Sequence, residues 1–146
     1  MTFLLTKHIL IFSFNQLLQL AQTTCETLEQ KRRLYWELKT GAETGWDYSS
    51  RWFINTDPET EDVSLKDTKA RSIIPVDLNS ILAENARIIS TYYKDHFCDE
   101  QTSIKYKNIS DNIIQGIENL LWNEEEGAWF DYDLIHGQQR LHFTPR

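Results

Sequence analysis

The sequence predicts an all-α protein, and three observations carry that prediction. Apolar residues recur at three- and four-residue spacing over three separate stretches. No run shows strict two-residue alternation bounded by turn residues, the mark of a hairpin strand. Gly and Pro are few, five and three in 146 residues, which sets aside disorder and turn-rich β architectures. The length suffices for one domain with a real core.

The first 24 residues, "MTFLLTKHILIFSFNQLLQLAQTT", are apolar and lack acids. Lys7 precedes an apolar run from Ile9 to Phe14, but no clean small-x-small cleavage site follows. The run is too short and too polar for a membrane span. Residues 1–25 are therefore a weak signal peptide, an ordinary buried helix, or sequence foreign to the fold. From Glu26 the pattern becomes helical. Leu28, Leu34, Tyr35 and Leu38 fall near one face, with Glu29, Lys31 and Arg32 on the other. Gly41 and Gly45 are expected to close this helix. The aromatic stretch from Trp46 to Phe53 follows, and then "INTDPETEDVSLKDTKARS", polar and charged, reads as a long surface loop.

A second helix is expected from Pro75, with Pro in the first turn and Asp77 at the positive end of the dipole. Leu78, Ile81, Leu82, Ile88, Ile89 and Tyr92 mark its apolar face, which runs to about Phe97. A third helix follows Asp99-Glu100-Gln101, with Ile104, Ile109, Ile113, Ile117, Leu120 and Leu121 as its apolar face. Residues 123–127 read as a turn. Two long helices joined by a short link should pack antiparallel. That would return Asp131 to the end of the pair where Asp77 begins.

The net charge of −7 argues against non-specific nucleic-acid binding, which needs a basic footprint. Cys25 and Cys98 fit no metal motif and no His/Cys cluster accompanies them, so no cofactor is expected. They read as free thiols, with a disulfide open to them if the protein is secreted. The triplet Asn108-Ile109-Ser110 would suit secretion.

What stands out is "GAETGWDYSSRWF", residues 41–53. Carbohydrate sites combine carboxylates with flat aromatic faces, and glycoside hydrolysis needs one carboxyl as acid and another as base or nucleophile. An acid beside aromatic rings is desolvated, which raises its pKa and keeps the proton available. Asp47, between Trp46 and Tyr48, is the right kind of residue. From composition alone the commoner alternative is an N-cap Asp among core aromatics, with Arg51 a plain ion-pair partner.

Three blocks in order, "ELKTGAETGWDYSSRWF", "SIIPVDLNSIL" and "LLWNEEEGAWFDYDL", resemble successive blocks of the trehalase family, glycoside hydrolase family 37. The resemblance covers about Leu34 to Leu134. It implies that residues 26–146 are part of an (α/α)6 toroid that hydrolyses α,α-trehalose to glucose with inversion. It implies Asp47 as general acid, with Gly45, Trp46 and Arg51 lining the substrate pocket. Glu43, Tyr48, Asp77, Asn79 and Asp131 would support the pocket rim. The substrate is the small molecule trehalose. The family has secreted, membrane-anchored and cytosolic members, which leaves the location open; a secreted or cell-surface one, anchored or not, is expected slightly ahead of a cytoplasmic one.

The departures from the family are as informative. Lys39 stands where the family usually has Arg, keeping the charge but losing the planar fork. The "PGGRFxExYxWD" and "QWDxPxGWxP" blocks are missing, and so is the Glu that serves as base. Glu124, Glu125 and Glu126 sit in a turn of an already matched block. An inverting site seats its water between carboxyls roughly 6.5–9.5 Å apart, so the base is expected outside this chain. Twelve helices of about 15 residues each also need well over twice this length. The expectation is a central fragment of a trehalase; the alternative is a non-catalytic remnant with at most weak sugar binding.

Overall fold

The computed structural model describes residues 19, 22–23, 25–46, 49–55 and 65–141. Most of the 1–25 segment, together with Asp47 and Tyr48, lies outside the described residues. The chain divides into two compact units, Met1–Arg71 and Ser72–Arg146.

In the first unit, α1 spans Leu28–Glu43. Thr27 caps it: its hydroxyl accepts from the Gln30 amide at 3.2 Å, while Gln30 Oε1 accepts from the Thr27 amide at 2.9 Å. This reciprocal capping box satisfies donors that the first turn leaves open. Leu34 and Leu38 are buried, with Cys25 and Leu65 packed against them. Leu28 and Tyr35, expected on the same face, are exposed. The helix does not end at Gly41. Gly41 is buried inside it, and the terminator is Gly45 at φ +77°, just past the C-cap Thr44. Glycine is needed at Gly45 because an L side chain is strained at that φ.

The segment after Trp52 is less of a surface loop than its polarity suggests. Ile54, Thr68 and Ala70 are buried, and Phe53 pairs with Thr68 in an antiparallel bridge. Single 3-10 turns, Leu65–Asp67 and Ala70–Ser72, break up the remainder of what is described. There Thr68 Oγ1 donates to the Leu65 carbonyl at 2.7 Å, a side-chain bond to nearby backbone that lets a polar stretch fold inward.

In the second unit, α2 spans Val76–Asp95 and α3 spans Glu100–Leu120. Pro75 is the N-cap of α2, one position ahead of the expected first turn. Asp99 caps α3, accepting from the Thr102 amide at 3.0 Å. The helices pack antiparallel as expected: Ser90 meets Ser103, and further along Ser110 meets Ala83. The contact surface differs from the expected apolar stripes, because the residues buried between the helices are Ala83, Ala86, Ser90, Ser103 and Ser110. Ser90 Oγ donates to the Ser103 carbonyl and Ser110 Oγ to the Ala83 carbonyl, each at 2.8 Å. Small side chains let the backbones approach, and each buried hydroxyl finds an acceptor. Ile81, Leu82, Ile88, Ile89 and Tyr92 are left exposed on α2.

Beyond α3 the chain forms two small ribbons. Trp122–Asn123 (β2) pairs with Ala128–Trp129 (β3). Tyr132–Asp133 (β4) lies between Ile73–Ile74 (β1) and Gln138–Gln139 (β5) in an antiparallel sheet. The fold stays dominated by helix. The two-residue strands were invisible to a search for alternation because they are too short to show any.

Candidate active site

The tip of α1 and the aromatic stretch after it form one corner of the first unit, with Trp52 at its centre. Only 1% of Trp52 is exposed. Its Nε1 donates to the Trp46 carbonyl at 2.8 Å. Its own carbonyl accepts from the Lys69 amide at 2.7 Å. A Cβ built on Gly41 would stand 3.4 Å from Trp52 Cδ1, so the indole lies against bare helix backbone. The Trp46 amide donates to Thr44 Oγ1 at 3.1 Å, and Ser49 caps a 3-10 turn over Ser50–Trp52, accepting from the Arg51 amide at 3.2 Å. The residues on either side of Asp47 and Tyr48 are thus anchored to α1 and to Trp52.

Arg51 is buried, 6% exposed. Its guanidinium carbon lies 4.7 Å from the Trp46 ring centroid and 5.3 Å from that of Trp52. A planar cation against ring faces gains cation–π attraction that grows as water is excluded. At Gly45, a Cβ would meet nothing within 4 Å among the described residues. Glu43, the last residue of α1, stays exposed and stands 4.0 Å from Lys39 Nζ.

The second unit brings together the other predicted residues. Asp131 Oδ1 accepts from the Val76 amide at 2.9 Å, which puts a carboxylate at the N-terminus of α2, where the helix dipole favours it. Asp77 lies in the same first turn, its Oδ1 accepting from the Leu78 amide at 2.7 Å. Asn79 folds back so that Nδ2 donates to the Pro75 carbonyl at 2.8 Å. The expected return of Asp131 to the end where Asp77 begins is therefore realised, and one side-chain bond fixes it.

Sequence reasoning missed Trp52 as the organiser of its corner, and it missed Asp133. Asp133 is buried, and Oδ1 accepts from the amides of Ile135 and His136 at 2.7 and 3.2 Å. Its Oδ2 lies 2.7 Å from His136 Nδ1. Burial pushes this carboxyl up, but the His136 ring and the two amides outweigh it and hold Asp133 below the usual carboxylate range. The signal was present in Asp-Leu-Ile-His-Gly, an acid opening a tight turn that ends in glycine. Gln139 likewise ties β5 to the end of α3, its Nε2 donating to the Leu120 and Trp122 carbonyls at 3.0 and 2.8 Å.

A groove of about 700 Å³ in the first unit runs past Trp36, Glu37 and Arg71 and holds none of the residues expected to touch substrate. Among the described residues no three of His, Cys, Asp and Glu gather as metal ligands, and no helix is long and apolar enough to cross a membrane.

The trehalase family profile matches residues 12–145, reaching beyond the three motif blocks at both ends. The chain is similar to a trehalase from Pimpla hypochondriaca, 42% identical over 117 residues, 80% of this chain and 19% of that protein. It is similar to a trehalase from Apis mellifera, 40% identical over 126 residues, 86% of this chain and 20% of that protein. A periplasmic trehalase from Escherichia coli is 35% identical over 111 residues, 76% of this chain and 18% of that protein. The chain thus spans about a fifth of the length of these relatives. With the family profile matching nearly its whole length, the chain belongs to the trehalase family.

Proposed function

We propose that the protein containing this chain hydrolyses α,α-trehalose to two molecules of glucose with inversion, and that Asp47 is its general acid. The observation that carries the reading is the buried Arg51 packed on Trp46 and Trp52, in the same short stretch as Asp47. A cation and aromatic faces excluded from water are what a site needs to grip hydroxyls and sugar C–H faces. In this reading Asp47 gives its proton to the glycosidic oxygen as the C–O bond breaks. A carboxylate outside residues 1–146 takes a proton from the water that attacks the opposite face of the sugar. Trp46 and Arg51 line the pocket, and Gly45 leaves backbone open to the sugar. Glu43, Tyr48, Asp77, Asn79 and Asp131 support the rim; the capping of α2 by Asp131 suits that role.

Residues 26–146 are read as part of an (α/α)6 catalytic domain. The apolar side of α2 that faces away from α3 supports this, since a helix with apolar residues on its free side is built to be covered. A secreted or cell-surface location fits a family that includes a periplasmic relative.

The test is Asp47→Asn in the full-length parent. The amide keeps the shape but has no carboxylic proton to give, so kcat should fall by a factor of about 10²–10⁴ with trehalose binding retained. Equal turnover by the variant would remove Asp47 from the chemistry.

A further inference from the structure

We propose that Asn108, on α3, accepts an N-linked glycan when the chain is carried into a glycosylating compartment during its synthesis. The sequence holds one Asn-X-Ser/Thr triplet, Asn108-Ile109-Ser110. The structure puts the two polar residues of that triplet in opposite situations. Asn108 is exposed, whereas Ser110 is 2% exposed with its hydroxyl committed to the Ala83 carbonyl.

The setting of Asn108 favours a large hydrophilic adduct. At 100° per residue, Asn108 lies on the side of α3 turned away from Ser103 and Ser110, and so away from α2. Gln101, Lys105, Asn112, Gln115 and Asn119 share that side at three- and four-residue steps, and all of them are exposed. The corresponding free side of α2 carries Ile81, Ile88 and Tyr92. Of the two outward sides of this helix pair, that of α3 is made for water. A glycan there lies clear of the small residues buried between α2 and α3.

The buried Ser110 sets the order of events. The transfer joins Asn108 Nδ2 to the anomeric carbon of an oligosaccharide carried on a lipid pyrophosphate. The pyrophosphate leaves with the bonding pair, and the amide gives up one N–H proton. The hydroxyl residue is part of what makes the triplet an acceptor, and acceptors of this kind belong to accessible surface loops. Once α3 is helical and docked on α2, that hydroxyl is 2.8 Å from the Ala83 carbonyl and closed off. Modification therefore precedes packing of the pair, and the folded chain is no longer a substrate.

The experiment expresses the full chain in insect cells behind a cleavable secretion leader. A second acceptor triplet in a C-terminal tag reports entry into the compartment. The expected product carries two glycans. Enzymatic release leaves aspartate at position 108 in the peptide mass spectrum, and Asn108→Gln loses one glycan step while keeping that of the tag. Ser110→Thr, which keeps a hydroxyl, retains both. A product glycosylated on the tag alone would overturn the proposal. Modification of Asn108 in purified, folded full-length parent by added transferase and lipid-linked oligosaccharide would overturn the ordering.

Discussion

Gly41→Ala isolates what holds the aromatic corner together. Gly41 sits inside α1 with helical φ, so alanine removes backbone freedom from the unfolded chain and gains about 1 kcal/mol of helix propensity. The new methyl would lie 3.4 Å from Trp52 Cδ1, 3.7 Å from Trp52 Nε1 and 3.9 Å from Ala70 Cβ. The two longer distances are ordinary contact, and burying one methyl adds up to about 0.8 kcal/mol. The 3.4 Å approach takes part of that back. The expected net is stabilisation by about 1 kcal/mol, which slows the opening of α1 roughly five-fold. Gly41→Val puts branched methyls against the indole, and overpacking of this kind costs about 1–3 kcal/mol. Amide hydrogen exchange over Leu28–Glu43 in the full-length parent reads both changes locally. Alanine should slow exchange and valine should speed it. Faster exchange in Gly41→Ala would mean that Trp52 packs more tightly on α1 than the distances say, and would refute the reasoning.

Arg51→Lys keeps the charge but loses the plane that packs on Trp46 and Trp52, so a cation–π contribution of about 0.5–2 kcal/mol weakens; kcat/KM for trehalose in the parent should drop by a similar free energy, and unchanged kinetics would leave Arg51 structural. Asp133 titrates below its ordinary value, so its contribution is fully present above the unfolded carboxylate pKa of about 3.9 and is lost as pH falls through the lower folded value. Protection of the amides of residues 134–139, measured against their intrinsic exchange rates, should therefore fall below about pH 4, and Asp133→Asn should remove that acid dependence. Produced alone, the 146-residue chain should bind a hydrophobic dye through Ile81, Ile88 and Tyr92 on α2; a sharp cooperative melt from a dye-silent monomer would count against that face needing a cover.

The helices were legible because their signals are local. Pro75 with Asp77, and Asp99, each mark a start that follows from the hydrogen bonds a first turn must make; the capping box of Thr27 and Gln30 is a signal of the same kind that went unread. The antiparallel return that carries Asp131 to Val76 was legible too, because two helices of similar length with a four-residue link have little choice. What stayed hidden was decided between elements. Gly41 reads as a helix end on its own, and only the indole of Trp52 lying against it explains a glycine inside the helix. Asp131 reads as support of the pocket rim, but that its carboxylate caps α2 depends on an amide 55 positions away.

The apolar stripes of α2 and α3 marked helices correctly yet pointed to the wrong packing partner. A reading by hydrophobicity counts Ser90, Ser103 and Ser110 as surface, although each is buried and bonded across the pair. Hydroxyls that can reach a facing carbonyl cost little to bury and let the two backbones come close. This frees the long side chains for a different surface. The resulting asymmetry, an apolar free side on α2 and a polar free side on α3, is a property of the pair and of neither helix alone. In the described chain, α2 carries apolar side chains on its free side and α3 carries polar ones. The same division leaves Asn108 facing water and seals the hydroxyl two residues away.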